Sequence, residues 1–316
     1  MARYTLRQLA YFTAVAEAGT IMAAADELRV SPTAVAAAIG ELERIFKTQL
    51  TVRRKAHGVS LTPAGSYLYS RAVSLLRDAE ELELSATSGG QELAGPLVVG
   101  CYLTLAPTIL PVLLEGFTVN HPKVQLDFVE GTQDEMQERL FAGELDLAVV
   151  YDMDLRPGLG SVLLCEAEAY VLLPAGHRLA RSAEVPLAGL AGEPMILLDA
   201  PPSSSHTLAL FEDAGVAPQI RYRTTDFELT RSLVGRGAGY SVLVQRPAVD
   251  ASYEGRMVAA RPITPAVKPI AVRMIWPEAI RPTDRARAMV DYAASAVPNT
   301  LRPPPAAGRQ GLPQAP

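Results

Sequence analysis

Cys101 and Cys165 are the only cysteines in 316 residues. Two cysteines make no disulfide framework, and a reducing cytosol fits them. Long apolar runs are also lacking. The N-terminus has none of signal-peptide length, and no segment reaches membrane-spanning length without charge, so a cytoplasmic protein without membrane contact is expected. His57, His121, His177 and His206 are scattered, with no metal-ligand spacing. A nucleophile elbow and a phosphate-binding loop are missing. Gly235-Arg236-Gly237-Ala238-Gly239 has the glycines of a nucleotide loop, but it follows a helix and precedes a strand, the wrong order. It reads as a helix end and a tight turn. No enzyme, metal or cofactor is expected.

What is present suits a globular chain of two or three domains, with 49% hydrophobic and 20% charged residues. The net charge of −5 is unevenly spread. Residues 1–62 hold eight cations against five anions, which makes the remainder acidic. A basic end on an acidic body points to nucleic acid bound at one end only.

That end is built from short helices. Thr5 and Gln8 have capping-box spacing, and Leu6, Leu9, Phe12 and Ala16 follow at helical intervals to about Ala18. Gly19 stops that helix and Thr20 caps the next, whose Ala23, Ala24, Ala25 and Leu28 form a buried side of small residues. Ser31-Pro32 is a serine cap followed by proline at the first helical position. Val35, Ile39, Leu42 and Phe46 stripe the helix it starts. Residues 51–62 read as a two-stranded wing with its tip near Ala56-His57-Gly58. Thr62-Pro63 then opens a long helix in which Leu68, Ala72, Leu75, Ala79, Leu82 and Ala86 make a heptad seam. So narrow a seam on so long a helix predicts dimerisation; packing on its own body is the plainer reading.

Ser88-Gly89-Gly90 and Gly95-Pro96 predict a hinge. Beyond it strands alternate with helices, which predicts parallel sheets flanked by helices in two α/β lobes, with the late strand 270–276 returning to the first lobe. A helix is expected from Thr207 to Ala214. The Pro- and Gly-rich tail from Pro298 predicts disorder.

The chain resembles the LysR-type transcriptional regulators. The resemblance is carried by Gln8-Leu9-Ala10-Tyr11-Phe12, Ala23 to Leu28, Val30-Ser31-Pro32-Thr33-Ala34-Val35, Leu61-Thr62-Pro63-Ala64-Gly65, His121-Pro122, Gly143 to Ala148 and Gly237-Ala238-Gly239. It implies a winged helix-turn-helix over 1–62, a dimerising linker helix over 63–90, and an effector domain over 91–297 shaped like a periplasmic solute-binding protein. The first lobe would be about 91–168 and 269–297, the second about 169–268, and the tail 298–316. It also implies dimers assembling into tetramers and a small-molecule inducer, with RNA polymerase as a further candidate partner.

The helix from Pro32 should enter the major groove of double-stranded DNA by its N-terminal residues. Its exposed start would offer Thr33, Ala34, Ala37 and Ala38, with Thr20, Ser31 and Pro32 at the helix starts. Relatives usually place glutamine at the position of Pro32 and polar or basic residues near Ala36, Ala37 and Ala38. Base-specific hydrogen bonds should therefore be sparse, leaving affinity to Arg53, Arg54, Lys55 and His57 and specificity to groove shape. Strand ends between lobes point to Tyr102, Thr104, Thr132, Ser203, Ser204 and Thr225 as an effector site, with Tyr102 as an aromatic wall and a carboxylate as the ligand. Thr104, Thr132 and Ser203 or Ser204 match effector positions in relatives; each hydroxyl is equally an ordinary helix cap. Asp152 and Asp226 would instead select an amine or hydroxyl ligand. The alternatives are a solute-binding protein without DNA function and a regulator that senses redox state through Cys101 and Cys165.

Overall fold

A computed structural model describes residues 3–54, 58–87 and 92–299. Helix α1 (Leu6–Ala18) begins in the capping box expected: Thr5 Oγ1 accepts from Gln8 N–H at 3.2 Å, and Gln8 Oε1 accepts from Thr5 N–H at 2.8 Å. Gly19, at φ 69°, ends it in the left-handed conformation that glycine adopts without steric cost. α2 (Ile21–Glu27) and α3 (Pro32–Phe46) follow. Phe12, Val15, Ala24, Ala25, Val35 and Leu42 are fully buried. The two alanines let α2 approach closely enough for so few large side chains to close a core.

Strands β1 (Thr51–Arg54) and β2 (Gly58–Leu61) pair antiparallel as the wing, with Thr51 opposite Leu61. Its tip residues Lys55, Ala56 and His57 lie outside the described residues. The Glu43 carboxylate of α3 accepts from Leu50 N–H at 2.8 Å and Thr51 N–H at 3.0 Å, tying the wing to that helix.

Helix α4 (Pro63–Thr87) divides the heptad seam. Ala72 is buried among Leu9, Phe12, Leu42 and Leu50, and Leu68 and Leu76 pack on the same cluster. Leu75 and Leu82 are exposed. The first turns of the helix thus belong to the N-terminal module, and only the later seam is open to a partner. Residues 88–91 lie outside the described residues. Gly95 and Pro96 are no hinge: they begin β3 (Gly95–Tyr102), in register with Val124 and Gln125 of β4 (Val124–Gly131).

The remaining elements are α5 (Ala106–Asn120), α6 (Gln133–Phe141), β5 (Leu147–Tyr151), β6 (Leu159–Ala167), β7 (Tyr170–Pro174), β8 (Val185–Pro186), β9 (Pro194–Leu198), α7 (Ser203–Asp213), β10 (Gln219–Thr224), α8 (Phe227–Gly235), β11 (Ser241–Leu243), β12 (Val258–Thr264), β13 (Ile270–Pro277) and α9 (Asp284–Ala296). The first lobe is a five-stranded sheet in the order β4-β3-β5-β13-β6, and β13 is the late strand that returns. The second lobe holds the order β11-β7-β12-β8 and the pair β10-β9.

Both lobes are α/β, but the sheets are mixed rather than parallel. β13 runs antiparallel to β5 and β6, and β7 antiparallel to β11 and β12. β6 and β12 escape the sequence pattern. β6 is an edge strand with few buried positions, so its alternation is weak. β12 contains Pro262, which sits where pairing with β7 ends and pairing with β8 begins. α7 starts at Ser203, four residues before the expected Thr207, because Ser203 and Ser204 are buried where a serine run usually marks a loop. Residues 300–316, most of the expected disordered tail, lie outside the described residues.

Cys101 in β3 and Cys165 in β6 are both free. β5 and β13 lie between their strands, and three strand spacings of about 4.8 Å separate them by roughly 14 Å, twice the reach of a disulfide. Burial pushes the Cys101 thiol far up, and the Cys165 thiol up to about 12, so neither presents a reactive thiolate. Peroxide treatment of the folded chain, followed by denaturing alkylation and mass spectrometry, should return two unmodified thiols. A Cys101–Cys165 disulfide would contradict this arrangement.

Candidate nucleic-acid interface and ligand cleft

Ser31, Pro32, Thr33, Ala34 and Ala37 are exposed along the start of α3, as expected. Ala38 is not; it turns inward and is buried beside Val35 and Ile39. Ser31 Oγ accepts from Ala34 N–H at 3.2 Å, and Thr20 Oγ1 accepts from Ala23 N–H at 3.1 Å, so both hydroxyls serve as caps. Thr33 is left as the one uncommitted polar side chain at the exposed start of α3 among the described residues. Gly40 and Arg44 continue this face. The Arg44 guanidinium is held by Glu41, with Nε 2.8 Å from Oε2. Arg53 and Arg54 stand on β1 opposite Val59 and Gly58. The face therefore pairs a smooth helix with a cationic wing, a form suited to a groove floor flanked by phosphates.

The second candidate site lies between the lobes. Thr104, Tyr151, Ser203, Thr207 and Gln245 line a small cleft, with Leu198, Phe227 and Val242 to Val244 as its apolar wall. Thr104 is buried, and its Oγ1 faces the Tyr102 and Tyr151 hydroxyls without forming a well-aligned hydrogen bond. It stands two residues before α5, and Ser203 opens α7. Neither helix has a side-chain cap. The dipoles of both helices thus favour negative charge at the cleft.

The other expected cleft residues have different places. Tyr102 is no wall: it is fully buried, and its hydroxyl donates to the Ala200 carbonyl at 2.8 Å and lies 3.1 Å from Ser203 Oγ, bridging the lobes. Thr132 caps α6 reciprocally with Glu135. Ser204 is buried behind Ser203, and Thr225 is exposed. Asp152 pairs with Arg273 at 2.7 Å, and Asp226 caps α8 through Leu229 N–H at 2.6 Å, so both carboxylates are occupied. Tyr151, Thr207, Phe227 and Gln245 are not among the ligand residues the sequence points to. Tyr151 and Gln245 lie at or just beyond strand ends, where the same rule would have found them. Thr207 stands one turn after Ser203. Gln245 Nε2 also donates to Thr108 Oγ1 of α5, a second contact across the lobes. No metal-ligand cluster occurs among the described residues, and no described helix is long and apolar enough to cross a membrane.

Residues 6–66 match the model of the bacterial regulatory helix-turn-helix proteins of the lysR family, and residues 90–298 match the LysR substrate binding domain. The Hca operon transcriptional activator HcaR of Escherichia coli is 30% identical over 276 residues, covering 86% of this chain and 91% of that protein. A hydrogen peroxide-inducible genes activator of Escherichia coli O157:H7 is 27% identical over 239 residues, 75% of this chain and 78% of that one. The crystal structure of HinK, a LysR family transcriptional regulator from Pseudomonas aeruginosa, superposes with a TM-score of 0.63 at 36% identity, over 94% of this chain and 99% of that one. The chain belongs to the LysR family of DNA-binding transcriptional regulators, with an N-terminal helix-turn-helix and an effector-binding domain.

Proposed function

We propose that this regulator holds its operator chiefly through phosphate contacts from the wing and senses a small carboxylate in the cleft between its lobes. The observation that carries the second half is the buried Thr104 hydroxyl, without a well-aligned hydrogen bond, beside two helix starts that lack a side-chain cap. A carboxylate would accept from Thr104 and face both dipoles, while the apolar wall would take its hydrocarbon body. The lining has no charged side chain, so the offset of one negative charge falls to the backbone. The first half rests on the smooth α3 start: alanine meets only thymine methyls, and Thr33 alone adds a hydroxyl. Arg53, Arg54, Lys55 and His57 then supply sequence-independent attraction, with groove width and bending supplying specificity. Exposed Leu75 and Leu82 on α4 support pairing of two linker helices in the homo-oligomer.

Operator affinity measured against salt tests the wing. Replacing Arg53 and Arg54 with alanine should lower the slope of log affinity against log salt by about one unit per lost phosphate contact; an unchanged slope removes the wing as the anchor. Calorimetry with a panel of small aliphatic and aromatic carboxylates, against matched amines, tests the cleft. Carboxylates should bind, and binding of the amines alone would refute the assignment. Thr104→Val should leave the stability of the free protein within about 1 kcal/mol, since the buried hydroxyl makes no well-aligned hydrogen bond. The same change should weaken the bound carboxylate roughly tenfold.

A further inference from the structure

The cleft between the lobes has room for about one water molecule. A carboxylate with a hydrocarbon body is larger, so none enters until part of the lining moves. Two side chains tie the lobes across this space. Tyr102 is fixed at both ends: its ring meets Tyr151 edge to face in the first-lobe core, with centroids 5.5 Å apart, and its hydroxyl donates to the main-chain carbonyl of Ala200. The other tie joins two side-chain ends. Gln245 Nε2 donates to Thr108 Oγ1, and that hydroxyl itself donates to the Leu105 carbonyl at 3.1 Å. Breaking this tie therefore leaves Thr108 hydrogen-bonded. The Gln245 main chain does not follow, because its carbonyl accepts from the Tyr170 hydroxyl at 2.9 Å and the preceding Val244 packs on the cores of both lobes. The carboxamide is the part left to swing. Of the lining side chains it alone carries N–H donors, since Thr104, Tyr151, Ser203 and Thr207 bring hydroxyls and the rest are apolar.

We infer, on the carboxylate reading of the cleft, that Gln245 is its specificity-determining residue: the amide latches the lobes shut on Thr108 and yields only to a ligand whose carboxylate takes over that N–H. Gln245 is buried, and a buried amide is strongly disfavoured without a partner. Its N–H therefore passes from one acceptor to another, and the charged acceptor makes the stronger bond. A protonated amine offers no acceptor and leaves the latch closed. While Thr108 holds Gln245, the binding-competent fraction is small, and apparent affinity falls by that fraction. Removing the two ends of this one bond then has opposite effects.

Calorimetry on the full chain, with butyrate and benzoate against butylamine and benzylamine, reads the exchange. Thr108→Val removes the competing acceptor from outside the lining, and should tighten both carboxylates roughly threefold or more. Gln245→Met keeps the side-chain length without the N–H groups, and should weaken them roughly tenfold. Spin labels at Asp134→Cys in α6 and Glu212→Cys in α7, both exposed, read the lobe separation without any ligand. Cys165→Ser and an excess of unlabelled protein restrict the signal to intrachain pairs. Pulsed dipolar spectroscopy should give one narrow distribution for the parent and a longer or broader one for each variant. A parent distribution that is already broad, or one that stays unchanged in either folded variant, overturns the latch. So does weaker carboxylate binding by Thr108→Val, because the bond would then only shape the site. If the parent binds the amines alone, the carboxylate reading falls and the donor role of Gln245 falls with it, while the ligand-free distances still decide the latch.

Discussion

The ligand cleft depends on how the two lobes are held, and a buried phenol holds them. Tyr102 ends β3 in the first lobe, and its hydroxyl reaches the backbone just before α7 in the second. A hydroxyl buried at such a boundary is stabilising only while its partner stays in place. The bond therefore fixes where Ser203 and the start of α7 lie relative to Thr104. Gln245 and Thr108 make a second tie from β11 to α5. Between these two ties lies the space lined by Thr104, Tyr151 and Phe227. The apolar wall comes mainly from the second lobe, and polar atoms come from both, so a ligand that satisfies both lobes must bridge them.

At the other end of the chain the governing constraint is steric. Ala24 and Ala25 are fully buried, and no larger side chain would let α2 sit so close to α1 and α3. Alanine recurs on the outer side of α3, where packing does not require it. One residue type thus has two roles three turns apart: inside it shortens the distance between helices, and outside it leaves a surface with little to say to base edges. On the proposed reading the wing compensates with charge, since phosphate contacts fix register without carrying sequence.

Much of this was legible in the residues. Caps were the surest signals: Thr5 with Gln8, Thr20, Ser31-Pro32 and Thr62-Pro63 each mark a helix start that the structure bears out. These signals act within one turn, so no distant contact overrides them. The failures have tertiary causes. Tyr102 was placed on a cleft wall because a strand end usually faces the ligand, yet its hydroxyl found a carbonyl nearly a hundred residues away. Ala38 looks equivalent to Ala37 in the sequence, and only its burial in the folded chain distinguishes them. The Thr132 hydroxyl was a fair candidate until Glu135 proved to complete its box. The antiparallel run of β13 was hidden because orientation is set by a long return path rather than by the strand's own residues.

Glu43 gives the head of the molecule a mechanical property. Its carboxylate grips the amides of Leu50 and Thr51 from within α3, so helix and wing cannot hinge separately. On the proposed mode of binding, a change in minor-groove width that pushes the wing would be converted into tilt or depth of the helix in the neighbouring major groove. Two adjacent grooves would then be measured as a single span, and a duplex would be accepted or refused by its local pitch as much as by its letters.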